Sequence, residues 1–183
     1  MSSPYRAGFV AIVGRPNTGK STLVNAMIGK KIVITSAHPN TTRNPIRGIL
    51  TRPEFQMVVV DTPGIHKPKT LLGSRLNDMV SQNLQSVDAA VLCLPADEAI
   101  GAGDEFIAKQ LEHIRSVYLV VTKIDRVGKD QVIAKLGEVA QFIEKTKLMV
   151  REVVPISAAE HNQVDLLTEL LVNALPSTSA GRF

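Results

Sequence analysis

The stretch FVAIVGRPNTGKSTLVNAMIG, residues 9–29, decides the fold. It opens with an apolar run typical of a buried strand, passes through a glycine-rich turn, and continues with apolar residues at helical spacing. Residues 14–21 within it read GRPNTGKS, a phosphate-binding loop of the form GxxxxGKS between a strand and a helix. The stretch therefore predicts a strand at 9–13, a cradle for nucleotide phosphates, and a helix at 19–29.

Each residue type in this loop has a physical reason to be there. Gly14 and Gly19 let the backbone curl closely around a β-phosphate, and the helix N-terminus adds unpaired N–H groups. Lys20 brings a positive charge to the β- and γ-phosphate oxygens, and the Ser21 hydroxyl is placed to bind Mg²⁺. A glycine turn that merely caps a helix is the alternative. A chance match to the pattern has odds on the order of one in a hundred or less.

Outward from this stretch, strands and helices alternate. Apolar runs predict further strands at 47–52, 56–61, 89–95, 116–122 and 152–157, and helical spacing predicts helices at 74–87, 104–114, 129–146 and 164–175. The last helix is expected to turn Leu166, Leu167, Leu170, Leu171 and Ala174 inward. We therefore predict an α/β fold with a mostly parallel six-stranded sheet, one antiparallel edge strand, and helices on both faces.

Composition narrows the possible functions. The 183 residues are 44% apolar and 21% charged, as in one ordered globular domain, and the net charge of +4 suits phosphate ligands without indicating nucleic acid. A single cysteine excludes an intrachain disulfide, and the apolar runs are too short to cross a membrane. The absence of Trp and an aromatic content of 4% disfavour a protein that stacks single-stranded bases.

Two further segments predict groups around the γ-phosphate. DTPG at 61–64 ends a predicted strand, where Asp61 can hold Mg²⁺ through a water and the Gly64 N–H can meet the γ-phosphate, although DTPG is also ordinary turn chemistry. The long polar loop before it contains NTTRN at 40–44. A hydroxyl of Thr41 or Thr42 could complete the Mg²⁺ shell while the γ-phosphate is present, which would make this loop a switch.

The segment TKID, 122–125, predicts the part of the site that recognises the nucleotide base. One carboxylate, that of Asp125, can accept hydrogen bonds from both N1–H and the N2 amino group of guanine, whereas adenine offers an acceptor there. The stem of Lys123 can cover the purine face, and the Ala158 N–H of ISA, 156–158, can bond guanine O6. Without the other motifs, Lys123 and Asp125 would be interpreted as solvated charges at the end of a strand.

GRPNTGKS, NTTRN, DTPG, TKID and ISA stand in the order and spacing of the five guanine-nucleotide motifs of small GTPases. With the longer string DTPGIHKP, residues 7–176 most resemble the Era family of bacterial ribosome-assembly GTPases. The resemblance implies a Ras-like P-loop domain that hydrolyses GTP with Mg²⁺ in the cytoplasm. It also implies binding of 16S rRNA and a role in small ribosomal subunit assembly, with peripheral association at the inner membrane in some members.

The resemblance also implies roles for individual residues. The implied catalytic residues are Lys20, Asn17, Thr42 and Gly64, and the implied Mg²⁺ ligands are Ser21, Thr42 and, through water, Asp61. The implied nucleotide contacts are Gly14, Asn17, Thr18, Gly19, Lys20, Ser21, Thr22, Thr42, Asp61, Gly64, Thr122, Lys123, Asp125, Ser157 and Ala158. Asn17 matches the position at which potassium-dependent relatives bind a monovalent cation, so K⁺ is a further candidate cofactor.

The sequence departs from the family pattern at several points. Thr122 stands where the family usually has Asn, and Thr18 replaces a commoner small apolar residue. Ile65 occupies the position at which many GTPases carry the water-orienting Gln, and it cannot form a hydrogen bond. The RNA-binding KH domain of the family has no counterpart in this chain. We expect a GTPase domain at 1–176 and a flexible tail, or the start of a linker, at 177–183.

Rival interpretations stay open at this point. Ile65 and the missing domain leave room for a scaffold that holds guanine nucleotide but barely hydrolyses it. A G domain of a related tRNA-modification or tandem GTPase is a third possibility, and an ATPase would require Asp125 to play no part.

Overall fold

The computed structural model describes residues 4–29, 46–61, 84 and 86–178. Their strands are β1 (Arg6–Val13), β2 (Ile46–Arg52), β3 (Phe55–Asp61), β4 (Ala89–Pro95), β5 (Ser116–Thr122) and β6 (Val150–Pro155). Their helices are α1 (Lys20–Ile28), α2 (Ala102–Gln110), α3 (Lys129–Thr146) and α4 (Val164–Ala174), with a 3-10 turn at Ile124–Arg126.

The six strands form one sheet in the order β2-β3-β1-β4-β5-β6. Only the edge strand β2 runs antiparallel to its neighbour, and the other pairs are parallel. The predicted fold class is confirmed. The segments Ala89–Pro95 and Ser116–Thr122 are buried at every position, as expected of central strands covered on both faces.

Some predicted boundaries were wrong for local reasons. The helix predicted at 104–114 starts at Ala102, because the Asp104 carboxylate accepts a hydrogen bond from the Gly101 N–H (2.9 Å) and caps the helix earlier. The strand predicted at 152–157 occupies Val150–Pro155. Most of the predicted helix at 74–87 lies outside the described residues.

Apolar side chains form two buried clusters, one on each face of the sheet. Successive residues of β1 alternate between them, since Ala11 joins the cluster under α2 and α3 whereas Ile12 joins the cluster under α1 and α4. In α4, Val164, Leu167 and Leu171 are buried. The expectation that Leu166 turns inward was wrong, because its side chain is 43% exposed.

The two ends of the described chain meet at the amino-terminal edge of the sheet. Ser177 forms an antiparallel bridge with Arg6, and the Thr178 N–H donates to the Tyr5 carbonyl (2.8 Å). The chain is therefore held two residues beyond the predicted domain end at 176, and the division into 1–176 and 177–183 stays a prediction. Within the described ranges, no helix combines the length and apolar character needed to cross a membrane.

Candidate functional site

The parallel strands end at one edge of the sheet, and the predicted motifs follow those ends. GRPNTGKS follows β1, TKID begins at the last residue of β5, and ISA follows β6. Because ligands of open α/β sheets bind outside the carboxyl ends of the strands, this edge is the candidate site.

Backbone geometry shows why the phosphate-binding loop needs its glycines. Gly14 has φ 155°, and a Cβ there would lie 2.7 Å from the Thr18 hydroxyl oxygen and 3.0 Å from the Cys93 carbonyl oxygen. Gly19 has φ 95°, and Asn17 also adopts a left-handed conformation with φ 64°. The loop curls too tightly for a side chain at Gly14 or Gly19.

Lys20 extends its ammonium group back over the loop. Its Nζ donates to the carbonyl oxygens of Gly14 (2.5 Å) and Arg15 (3.1 Å). The charge therefore lies within the curl of backbone that surrounds the predicted β- and γ-phosphate positions. This arrangement fits the predicted role of Lys20 as the positive charge of the phosphate site.

Thr18 and Thr122, two of the residues that depart from the family pattern, contact each other. The Thr122 hydroxyl at the end of β5 donates to the Thr18 carbonyl oxygen (2.6 Å), and the Thr18 hydroxyl donates to the Arg15 carbonyl oxygen (2.8 Å). Thr18 is fully buried, and Thr122 is 4% exposed. The base-reading segment and the phosphate-binding loop are therefore joined by a buried hydrogen bond.

Lys123 spans the same two segments on the surface side. Its backbone is left-handed, with φ 62°, and its Nζ donates to the Asn17 carbonyl oxygen (2.6 Å). A Cβ added to Gly19 would lie 3.7 Å from the Lys123 Cε, so the aliphatic stem runs beside the start of α1. The stem is thus available as a flat apolar cover for a purine ring.

The carboxylate of Asp125 is held by the ISA turn. The Ser157 hydroxyl, fully buried, donates to Asp125 Oδ1 (2.8 Å) and accepts from the Glu160 N–H (3.1 Å). Paired backbone hydrogen bonds between Ser157 and Asn162 close this turn. Asp125 is therefore oriented before any base arrives, while its open side can accept two donors from guanine.

These elements enclose one pocket. It is lined by Gly19, Thr22, Thr122, Lys123, Asp125, Arg126, Ala158 and Ala159. The structure thus brings most of the predicted base-side residues together with the start of α1. Asp125 and Ala158 line the same pocket as Gly19 of the phosphate-binding loop.

The predicted Mg²⁺ ligands can be followed only in part. Ser21 lies in the first turn of α1, and its hydroxyl accepts from Arg47 (2.7 Å), while Asp61 pairs with Ile12 of β1, two residues before Gly14. A hydroxyl and a carboxylate-bearing position at the same sheet edge are oxygen donors of the kind Mg²⁺ prefers. Thr42, Gly64 and Ile65 lie outside the described residues.

The family described as 50S ribosome-binding GTPase matches residues 9–123, from β1 through the lysine of TKID. The chain belongs to this GTPase family. A Mycobacterium protein (strain JLS) named GTPase Era is 51% identical over 177 residues, which are 95% of this chain and 58% of that protein. The resemblance to Era stated from the motifs is confirmed.

Two solved Era structures share this fold. One, from Aquifex aeolicus, is a variant bound to GDP and AlF₄⁻, with a TM-score of 0.74 and 34% identity over 95% of this chain and 58% of that chain. The other is Era in complex with MgGDPNP and nucleotides 1506–1542 of 16S ribosomal RNA. It has a TM-score of 0.77 and 33% identity, and the match covers 98% of this chain and 60% of that chain. The chain thus spans under two thirds of these relatives.

Sequence reasoning missed the ion pair between Arg15 and Asp104. Arg15 Nε donates to Asp104 Oδ1 (2.8 Å), and Arg15 Nη2 lies 3.3 Å from Glu98 Oε2. Asp104 is fully buried, and its hydrogen bond raises the pKa of Arg15. The pair ties the phosphate-binding loop to the start of α2. Composition and spacing carry no signal for it, because the partners are 89 positions apart.

Cys93 lies beneath the phosphate-binding loop without taking part in its chemistry. It is fully buried in β4, and burial raises the pKa of its thiol to about 12. A thiol that stays protonated is a poor nucleophile, so Cys93 is a core residue.

Proposed function

We propose that the protein binds GDP and GTP selectively and hydrolyses GTP. The observation that carries this proposal is Asp125, which Ser157 orients in a pocket that Gly19 of the phosphate-binding loop also lines. In that position its carboxylate accepts the N1–H and N2 amino donors of guanine, and Lys123 covers the ring. Gly14, Lys20 and the N-terminus of α1 hold the phosphates, with Ser157 and Ala158 closing the base side.

Magnesium is the proposed metal. When bound, it supplies positive charge to the β- and γ-phosphates. Ser21 and Thr42 would hold it directly and Asp61 through water, while Gly64 would donate its N–H to the γ-phosphate. Among the described residues, no three His, Cys, Asp or Glu side chains are grouped so that they could hold a metal ion.

Hydrolysis needs a group that replaces the missing glutamine. Ile65 cannot orient the attacking water, so we assign charge stabilisation to a K⁺ ion, which the exposed side chain of Asn17 would hold. Turnover in KCl should exceed turnover in NaCl at equal ionic strength. Equal rates would contradict the K⁺ assignment. Single-turnover hydrolysis close to zero in both salts would favour the alternative of a scaffold that binds GTP but barely hydrolyses it.

The cellular role follows from the relatives. We propose that this protein, like those relatives, binds 16S rRNA and acts in small ribosomal subunit assembly in the cytoplasm. Most of that RNA contact would belong to a KH domain, and peripheral association with the inner membrane is part of the same extension. A tRNA-modification GTPase remains the second candidate.

The decisive experiment measures base selectivity. Isothermal titration of GDP, ATP and XDP into the protein should give tight binding of GDP alone. Asp125→Asn should lower GDP affinity by at least about 100-fold, because two hydrogen bonds to a charged acceptor are lost, and should favour XDP, whose extra carbonyl suits an amide. Asp130→Asn makes the same change at an exposed aspartate on α3 and should leave binding unaltered. Unchanged GDP preference in Asp125→Asn would refute the assignment.

A further inference from the structure

A positive charge lies against the Ser21 hydroxyl, one of the proposed Mg²⁺ ligands. Arg47 is the second residue of β2, and its Nη1 donates to the Ser21 hydroxyl oxygen at 2.7 Å. A guanidinium stays charged at neutral pH, so a permanent cation contacts the oxygen assigned to the metal. Arg47 lies outside all five nucleotide motifs, and no role has been given to it so far.

An irregularity in the sheet brings Arg47 to this position. Ile46 of β2 pairs with Val60 of β3, but Gly48 pairs with the neighbouring Val59. Between these pairs β2 carries one extra residue, Arg47, as in a β-bulge. Bulges redirect a side chain out of the regular alternation of a strand and are frequent beside active sites. This one lies at the carboxyl end of β3, the edge of the sheet where the nucleotide motifs meet.

Apolar packing holds β2 against α1 independently of the hydrogen bond. A Cβ added to Gly48 would lie 2.0 Å from Ile28 Cδ1, so the strand and the helix are in close contact there. Leu50 of β2 joins Met27 and Ile28 of α1 in one buried cluster. The strand that carries Arg47 is therefore expected to stay in place when the bond to Ser21 is removed.

Mg²⁺ and the guanidinium compete for Ser21 on electrostatic grounds. A metal bound to this hydroxyl at the usual distance of about 2.1 Å would be a near neighbour of the Arg47 guanidinium. Like charges repel more strongly where water is partly excluded, and the Arg47 side chain is only partly exposed. Binding of the metal therefore favours a conformation in which the guanidinium has left Ser21.

Arginine at this position also suits the nucleotide phosphates. Its planar fork of donors matches phosphate oxygens, and Ser21 directly follows Lys20, whose charge serves the same phosphates. A guanidinium at Ser21 thus brings to the phosphate site part of the positive charge that Mg²⁺ supplies.

We propose that Arg47 competes with Mg²⁺ for the Ser21 hydroxyl and partly replaces the charge of the metal on the phosphates of GDP. The inference rests on the proposed function and deepens it, because it makes Arg47 the residue that sets how far nucleotide binding depends on Mg²⁺. GDP binding is then less dependent on the metal than it would be without Arg47.

The test compares Arg47→Gln with Arg52→Gln. Both changes remove one arginine from β2, but Arg52 is exposed at the far end of the strand, where its Nη1 donates to the Thr51 carbonyl oxygen (3.0 Å). Isothermal titration measures GDP affinity in excess Mg²⁺ and in EDTA, and then the Mg²⁺ affinity of each GDP complex. Urea unfolding establishes that each variant is folded.

Arg47→Gln should bind GDP about fivefold more weakly in EDTA and about as tightly as the unchanged chain in excess Mg²⁺, since one charge-assisted contact at a partly exposed site is lost. By thermodynamic linkage, its GDP complex should bind Mg²⁺ about fivefold more tightly. Arg52→Gln should change neither affinity. A hydrogen bond that merely ties β2 to α1 would give a different pattern, in which Arg47→Gln loses GDP affinity equally with and without the metal.

A second measurement needs no loss of the arginine. In the ¹⁵N-labelled GDP complex, the Nε–H signal of Arg47, assigned by its disappearance in Arg47→Lys, should shift when Mg²⁺ is added. The Arg52 signal should stay where it is, because Arg52 has no contact with Ser21.

Three outcomes would overturn the proposal while GDP still binds. These are an unchanged Mg²⁺ affinity of the Arg47→Gln complex, an equal effect of Arg52→Gln, and an Arg47 signal that does not respond to Mg²⁺. In those cases the proposed function stands. If the unchanged chain binds no GDP in either condition, the proposed function fails, and the role of Arg47 fails with it.

Discussion

Replacing Thr122 with valine tests the buried link between the base-reading segment and the phosphate-binding loop. The Thr122 hydroxyl donates to the Thr18 carbonyl oxygen at 2.6 Å, and both residues are at most 4% exposed. Valine has the shape of threonine, so the change leaves no cavity. It leaves the Thr18 carbonyl short of a donor, which costs about 1–3 kcal/mol in a buried site.

We therefore expect Thr122→Val to lower the free energy of unfolding by about 1–3 kcal/mol in urea, with an unchanged dependence on urea concentration. GDP affinity should fall by about tenfold, because Thr18 belongs to the loop that holds the phosphates. Thr122→Ser is the matched control. It keeps the hydroxyl and loses one methyl group, so it should cost about 0.8 kcal/mol of stability and spare GDP affinity.

The GDP affinities of the two variants show whether the hydrogen bond or the packing of the methyl group supports the loop. If Thr122→Val binds GDP as tightly as the unchanged protein, the hydrogen bond does not support the loop. If Thr122→Ser loses as much affinity as Thr122→Val, packing of the methyl group is what matters, and the reasoning from the hydrogen bond fails.

Three further predictions concern single groups. Asp104→Asn removes the charged acceptor that Arg15 donates to and should cost about 1–3 kcal/mol in urea unfolding, and an unaltered midpoint would contradict it. Ser157→Ala frees the Asp125 carboxylate, so calorimetry should find GDP bound about tenfold more weakly; wild-type affinity would be the contrary result. Burial raises the pKa of Cys93 to about 12, so iodoacetamide at pH 8 should label only urea-unfolded protein, and native stability should decline once pH exceeds about 8.5, where the unfolded thiol ionises. Rapid native labelling would show that the thiol is accessible.

The sequence predicted those boundaries of strands and helices that depend on neighbouring residues. The ends of β4 and β5 and both ends of α3 agree with the apolar periodicity and turn residues. Burial around a helix was less predictable, because four leucines in α4 leave the position of its apolar stripe ambiguous, and Leu166 fell outside it.

The sequence could not predict contacts between residues that lie far apart in the chain. The hydroxyl of Thr122 meets the carbonyl of Thr18 across 104 positions, so two residues that looked like unrelated departures from the family are partners. The register shift between β5 and β6, where Val117 pairs with Val150 but Tyr118 pairs with Glu152, likewise depends on how the two strands meet, which neither strand's own pattern specifies. Motifs could place the predicted site at a sheet edge, but only the fold shows what orients Asp125.

The hydrogen bond from Thr178 to Tyr5 brings the first and last described segments side by side. A short glycine-rich peptide could therefore splice the original ends together, and new ends could be opened in the tight hairpin at Pro53 and Glu54. Such a circularly permuted chain would keep every strand in its place. Its new ends, at the tip of the β2–β3 hairpin, could carry reporter domains well away from the nucleotide pocket.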